Sequence, residues 1–173
     1  MTISATKLLG KPVQEAILAD VKEGLAAFAA SGHRPPKLAA VLVGEDPASA
    51  MYVRTKTRTC EELGLDSEAI VLPDSTSTEE LLGRVDALNA DDGVDGILVQ
   101  LPLPDGIDTE AILDRIDPSK DVDGLHAENV GMLVQKRSRF VPATPGGIMQ
   151  MLDRARIEIE GANAVIIGRS EIV

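Results

Sequence analysis

The sequence predicts an α/β protein organised around a parallel sheet, and three observations carry that expectation. A continuous apolar run at Leu38 to Val43, and the largely apolar stretch Ile97 to Leu101, have the pattern of strands buried on both faces. Amphipathic stretches alternate with the strands, in the order helix, strand–helix twice, then a strand and a helix, which implies right-handed crossovers. Composition agrees: 44% of residues are hydrophobic but only 2% are aromatic, with no Trp. The core must therefore be built from Ala, Val, Ile and Leu, and small branched residues suit a sheet covered by helices.

Each element has local signals. A helix is expected from about Lys11 to Ala30, its apolar face drawn from Val13, Ile17, Val21, Leu25 and Phe28. Gly32 ends it and Pro35-Pro36 blocks its continuation. The strand Leu38 to Val43 runs into Gly44. Asp46 then caps a helix with Pro47 in its first turn, where the missing amide hydrogen costs least. That helix should reach Leu63 and stop at Gly64. Glu68 to Leu72 reads as a second strand, and Ser77 with Glu80 has capping-box spacing for a helix ending near Asn89. The strand Ile97 to Leu101 is broken by Pro102 and Pro104, and Asp108 opens a short helix through about Arg115.

Asp117 to Gly124 is the best candidate for a domain boundary, dividing residues 1–123 from residues 124–173. Beyond it a short helix is expected from Glu128 to Val134, then a polar turn from Gln135 to Arg139. Thr144-Pro145 starts another helix carrying Ile148, Met151, Leu152 and Ala155. Ala164 to Gly168 reads as a buried strand entering a glycine turn, the first strand of a nucleotide-binding sheet that the remaining residues to Val173 cannot complete. The chain is thus expected to be truncated, a fragment or an incompletely represented protein.

Charge and composition exclude several classes. The formal net charge of −11 repels nucleic acid and anionic membrane, so neither is an expected partner. No apolar run approaches the ~20 residues of a membrane span, and the first ten residues have no secretory-signal pattern. A single cysteine, Cys60, rules out an intrachain disulfide and fits a reducing cytoplasm. One local exception to the acidity is Arg54-Thr-Lys56-Thr-Arg58, with no carboxylate from Pro47 until Glu61.

Ligands of open parallel sheets bind outside the carboxyl ends of the strands, and three polar features fall there. Tyr52 and Lys56 are four residues apart, on one helical face, so a phenol and an ammonium can address one ligand. On spacing alone the pair more often describes an exposed lysine beside a half-buried tyrosine. Gln100, in Val99-Gln-Leu-Pro-Leu-Pro104, is a side-chain amide at the end of an apolar run, beside Leu101, and needs its donors and acceptors satisfied. Asp121-Val-Asp123-Gly124 has the look of a calcium loop and fails the test. The position requiring a bidentate Glu is Val130, and the first ligand would be Ser119. No metal is expected, since His33, His126 and Cys60 have no ligand spacing. A carboxylate that reads ligand amines, or a solvated turn, remains as the reading of the acidic pair.

Taken together, Tyr52-Val-Arg-Thr-Lys56, Val99 to Pro104, Asp121-Val-Asp-Gly-Leu-His126, Thr144-Pro-Gly-Gly147 and Gly168-Arg-Ser170 resemble one family. It is the bifunctional methylenetetrahydrofolate dehydrogenase/methenyltetrahydrofolate cyclohydrolase family. The resemblance covers the whole chain and implies a folate-binding catalytic α/β domain over residues 1–123. Residues 124–173 would be interdomain helices and the first strand of a Rossmann-type NADP-binding domain. It implies oxidation of methylene-tetrahydrofolate with NADP as co-substrate, then hydrolysis of the methenyl product to formyl-tetrahydrofolate.

By resemblance, Lys56 serves proton transfer in the hydrolytic half, with Arg54 and Arg58 expected beside it. Gln100 orients that lysine, Tyr52 packs along the folate, Leu101 lines the substrate site and Asp123 anchors the pterin. Gly168, Arg169 and Ser170 would contact the NADP phosphates, although the acidic Glu171 must then point outward. A cytoplasmic homodimer formed through the second domain is also implied. Many family members carry Cys where this chain has Ala143, and that cysteine is taken as dispensable for the chemistry. If the chain truly ends at Val173, the alternative is a non-catalytic or cyclohydrolase-only folate-binding module. An unrelated nicotinamide dehydrogenase with the same layout is the third reading.

Overall fold

The computed structural model describes residues 5–168. Helix α1 spans Gly10–Ala30, strand β1 Lys37–Val43, helix α2 Pro47–Leu63, strand β2 Asp66–Leu72 and helix α3 Thr78–Ala90. Strand β3 follows at Gly96–Val99, then helices α4 Thr109–Leu113, α5 Ala127–Val134 and α6 Ala143–Arg154. The strands form one sheet in the order β2-β1-β3, parallel throughout, with Lys37 opposite Asp66 and Leu38 opposite Gly96. The α/β class and the parallel sheet are those the alternating pattern predicts.

Successive side chains of β1 point to opposite faces, and each face meets a different helix layer. Ala39, Val41 and Val43 join Ile97 and Val99 against Leu81, Val85 and Leu88 of α3, with Ile112 and Ile116 closing the cluster. Ala40, Leu42 and Leu98 face the other way, onto Val53 of α2 with Ala50 and Val122 beside it. Burying β1 on both sides explains why its sequence is an unbroken apolar run rather than an alternating one.

The helix ends follow their local chemistry. The Asp46 carboxylate accepts from the Ser49 amide at 2.7 Å, with Pro47 in the first turn. Gly64, at φ +81°, closes α2 in the left-handed region. Ser77 and Glu80 form the complete capping box of α3. At the other end of α3, Lys120 Nζ donates to the carbonyls of Leu88, Asn89 and Asp91, where a cation also meets the negative end of the helix dipole.

Four expectations need correction. Strand β3 ends at Val99, not Leu101, because its pairing with β1 stops at Val41 opposite Val99. Gln100 still donates its amide to Val41 O at 2.8 Å, and the chain then leaves the sheet at Leu101-Pro102, a cis peptide. Helix α4 ends at Leu113, since Asp114 already forms its C-cap. The apolar stripe of α1 is only half covered: Val21 and Phe28 are exposed, and no residue of α1 is fully buried.

The fourth concerns Ala164 to Gly168, predicted as a buried strand. It forms no strand, and Val165, Ile166 and Ile167 are 89%, 86% and 97% exposed. A strand exists only through hydrogen bonds to a neighbour, and none of the described residues pairs with this run.

The proposed boundary segment is bound tightly to the sheet. Ile97 donates its amide to Lys120 O at 2.7 Å, and Ile97 and Asp121 form an isolated parallel bridge. This attachment carries the chain from Asp121 onward past the carboxyl end of β3.

Candidate active site

The site forms where β1 and β3 end. Beyond β1 the chain turns at Gly44, at φ +86°, and a side chain at that position would run into Asp74. This turn starts α2, whose wheel puts Ser49, Val53 and Cys60 against the protein and Tyr52 and Lys56 over the sheet end. Tyr52 is 53% exposed and Lys56 half-buried. The tyrosine has an open face available for a flat ligand.

Lys56 reaches across to β3's continuation, where its Nζ donates to Gln100 Oε1 at 3.2 Å. The Gln100 amide nitrogen donates to the Leu101 carbonyl at 2.7 Å, which fixes which end of the amide faces the lysine. Gln100 is thus satisfied at both ends and acts as a bracket for the ammonium. The polar residue that looked misplaced at the end of an apolar run is placed by this pairing.

A cavity of about 500 Å³ is lined by Tyr52, Lys56, Gln100, Leu101 and Asp123. All five sequence-predicted substrate-site residues therefore share one chamber. Four further lining residues, Leu125, Pro142, Ala143 and Thr144, were not singled out as site residues. The Thr-Pro-Gly-Gly motif marked their neighbourhood, but only the tertiary approach of the 142–144 segment to Leu125 makes them walls. A second hollow of about 450 Å³ lies at Leu72, Thr76, Glu80 and Arg84. Its carboxylate, Glu80, is already committed to the capping box.

The acidic pair divides into two roles. Asp123 faces the cavity, half-buried, and burial raises its carboxyl from the ordinary aspartate value. The positive charge of Lys56 opposes that rise, while the negative Asp121 adds to it. Asp121 is 1% exposed and turned inward. Its Oδ1 accepts from the Gly124 amide at 3.1 Å, and its Oδ2 from the His126 amide at 2.9 Å and Asn129 Nδ2 at 2.8 Å. Asp121 is neither a ligand-reading carboxylate nor part of a solvated turn. It is the internal acceptor around which the turn bearing Asp123 is wrapped.

Arg54 and Arg58 are not beside Lys56. Positions two apart on a helix lie on roughly opposite faces, and both arginines are exposed. Arg58 pairs instead with Glu62 at 3.5 Å, one turn along. The charged neighbour of Lys56 is Asp123.

Of the predicted nucleotide-side residues, Gly168 is exposed and does not line the cavity, while Arg169 and Ser170 lie outside the described residues. The described site thus combines an aromatic platform, a bracketed amine and a half-buried carboxyl. That set suits a flat heterocycle rich in nitrogen donors, with a proton-carrying group held over one edge.

Comparisons with known proteins agree on its kind. Residues 8–123 match the family model described as tetrahydrofolate dehydrogenase/cyclohydrolase, catalytic domain, and residues 142–173 the corresponding NAD(P)-binding domain. The bifunctional FolD methylenetetrahydrofolate dehydrogenase/cyclohydrolase of Campylobacter jejuni is 44% identical, with a TM-score of 0.93, over 98% of this chain and 60% of that one. A 5,10-methylenetetrahydrofolate dehydrogenase from the silkworm Bombyx mori is 40% identical, with a TM-score of 0.94, over 98% and 59%. The Trypanosoma brucei dehydrogenase-cyclohydrolase, solved with NADP and an inhibitor, is 33% identical, with a TM-score of 0.92, over 99% and 59%. The chain spans about 60% of the length of these proteins. It belongs to the tetrahydrofolate dehydrogenase/cyclohydrolase family.

Proposed function

We propose that the protein of which these 173 residues are part oxidises methylene-tetrahydrofolate with NADP and hydrolyses the methenyl product to formyl-tetrahydrofolate. The observation that carries this reading is the convergence of Tyr52, Lys56, Gln100, Leu101 and Asp123 on one cavity, with Lys56 Nζ held by Gln100. Family membership over residues 8–123 supports it.

Tyr52 stacks along the folate, and its exposed ring leaves that face open. Asp123 pairs with the amino group and ring nitrogens of the pterin. Leu101, Leu125 and Pro142 supply the apolar wall. In the hydrolytic step water adds to the methenyl carbon and a C–N bond opens. The attacking oxygen gives up both protons as the formyl C=O forms; one is released to solvent with the cation's charge, and the other arrives at the departing nitrogen. Lys56 Nζ carries that proton, and Gln100 keeps the amine aimed at the reacting edge.

The dehydrogenase half needs a hydride acceptor, which the nicotinamide of NADP supplies. Arg169 and Ser170 are the donor types a phosphate takes, a guanidinium and a hydroxyl, next to the backbone of Gly168. We assign residues 1–123 to the folate domain and 124–173 to the interdomain helices and the start of the nucleotide domain. A homodimer through the second domain and a cytoplasmic setting complete the proposal. For the latter, the support is the single cysteine, Cys60, free and buried, which is compatible with a reducing compartment.

The test is Lys56→Met in the full-length protein, assayed for formyl-tetrahydrofolate formation with the fold checked by thermal melting. Loss of the formyl product by about a hundredfold or more, the usual weight of a proton-transfer group, is the expected result. Undiminished formyl product would remove Lys56 from the mechanism.

A further inference from the structure

Asp121, Asn129 and Arg139 do not line the cavity, yet they join the pieces of chain that do. Asp121 and Asn129 are 1% and 0% exposed, unusual for these residue types unless fully paired. The two Asp121 oxygens take the amides of Gly124 and His126, so the loop between them, including Leu125, is clamped just after Asp123. Asn129 Nδ2 donates to Asp121 Oδ2 at 2.8 Å and to the Pro118 carbonyl at 2.9 Å. Its Oδ1 accepts from Arg139 Nη1 at 3.2 Å. Arg139 sits three residues before Pro142, where the opposite wall begins. The two walls also meet directly. Gly124, at φ +68°, lies so close to Phe140 and Pro142 that an added Cβ would fall 3.4 Å from Pro142 Cδ and 3.5 Å from Phe140 Cβ.

The inner end of this chain of contacts is fixed to the sheet through the Ile97–Asp121 bridge, three residues before Gln100. No buried side-chain polar atom among the described residues lacks a partner, so the network is fully satisfied. We propose that Asp121, Asn129 and Arg139 form a positioning relay holding the Asp123–Leu125 wall in register with the Pro142–Thr144 wall. Through it Arg139, outside the cavity, sets how tightly the ligand is gripped. The proposal rests on the folate reading of the cavity.

Arg139→Ala is the informative variant because Arg139 lies at the outer end, its side chain 37% exposed, and its loss leaves the core intact. In the full-length protein it raises KM for the tetrahydrofolate substrate about fivefold, the effect of one ordinary hydrogen bond, with kcat within about twofold. Arg139→Lys recovers part of that loss. Asp121→Asn, which turns an acceptor into a donor facing donors, raises KM by about tenfold or more. Arg139 also pairs with Glu128 at 3.5 Å on the surface, so the control is Arg115→Ala, which breaks the exposed Arg115–Asp86 pair away from the cavity and leaves KM unchanged. If Asp121→Asn does not fold, Arg139→Ala and its lysine counterpart decide. An unchanged KM in Arg139→Ala, a fall in kcat alone, or an equal KM rise in Arg115→Ala overturns the relay. Asp123→Asn separates the two levels. If it raises KM while Arg139→Ala does not, only the relay fails, and if it leaves KM untouched the folate reading itself fails.

Discussion

Replacing Gln100 by Met keeps the length of the side chain and deletes both hydrogen bonds it makes. The one to Lys56 Nζ decides the outcome. Hydrogen bonds to charged groups contribute about 1.5–3 kcal/mol. This one is 3.2 Å long and half-buried, so the lower end applies. About 1.5 kcal/mol corresponds to roughly a tenfold loss of rate if the bond serves to aim the amine in the transition state. The assay is the initial rate at which the methenyl chromophore disappears, with the NADP-dependent rate measured on the same preparation. Gln100→Met should slow hydrolysis about tenfold. Because the glutamine acts through the lysine, it should add little in a Lys56→Met background. A hydrolysis rate within twofold of the parent would refute the bracket. So would an undiminished tenfold effect in the double variant, which would show Gln100 working independently of Lys56.

Two other outcomes follow from the same geometry. The Asp123 carboxyl is pushed up chiefly by burial, so the folded state holds that proton more tightly than the unfolded chain does. Its ionisation therefore costs nothing below the ordinary carboxylate range and costs stability as pH rises through the raised value. Asp123→Asn should accordingly melt higher than the parent at neutral pH while binding tetrahydrofolate less well. A variant that is both less stable and equally tight-binding would contradict this. Asp46→Ala removes the cap of the helix carrying Tyr52 and Lys56, and should cost about 1 kcal/mol by denaturant titration. An unchanged unfolding midpoint would show that the cap contributes nothing to α2.

What the sequence made legible was local. The bounds of α2 follow from Asp46, Pro47 and Gly64, whose effects act within a turn of themselves, and the α3 capping box is local in the same sense. The candidate site was partly legible because residues that follow strand ends cluster there: five of the cavity's lining residues were singled out, while Leu125, Pro142, Ala143 and Thr144 were not. The misreadings share a different cause. The run at Ala164 to Gly168 has the composition of a strand, but pairing depends on a partner that periodicity cannot see. The end of β3 was set two residues late for the same reason, since its last partner is Val41. Arg54 and Arg58 looked close to Lys56 as a run of charge, although a helix turns them to the far side. Asp121 and Asn129 were illegible because their partners come from three separate segments, Pro118, the 124–126 turn and Arg139.

In the proposed function, the chamber between Tyr52, Gln100 and Asp123 holds the folate during both reactions. Its most direct test is a crystal structure of the full-length protein with a stable tetrahydrofolate analogue and NADP. The expected result is the pterin paired with Asp123, the ring system lying against Tyr52 and the reacting carbon within reach of Lys56 Nζ. An analogue seated elsewhere, in the hollow at Leu72 and Arg84 or between α1 and α6, with Lys56 still bound only to Gln100, would contradict it.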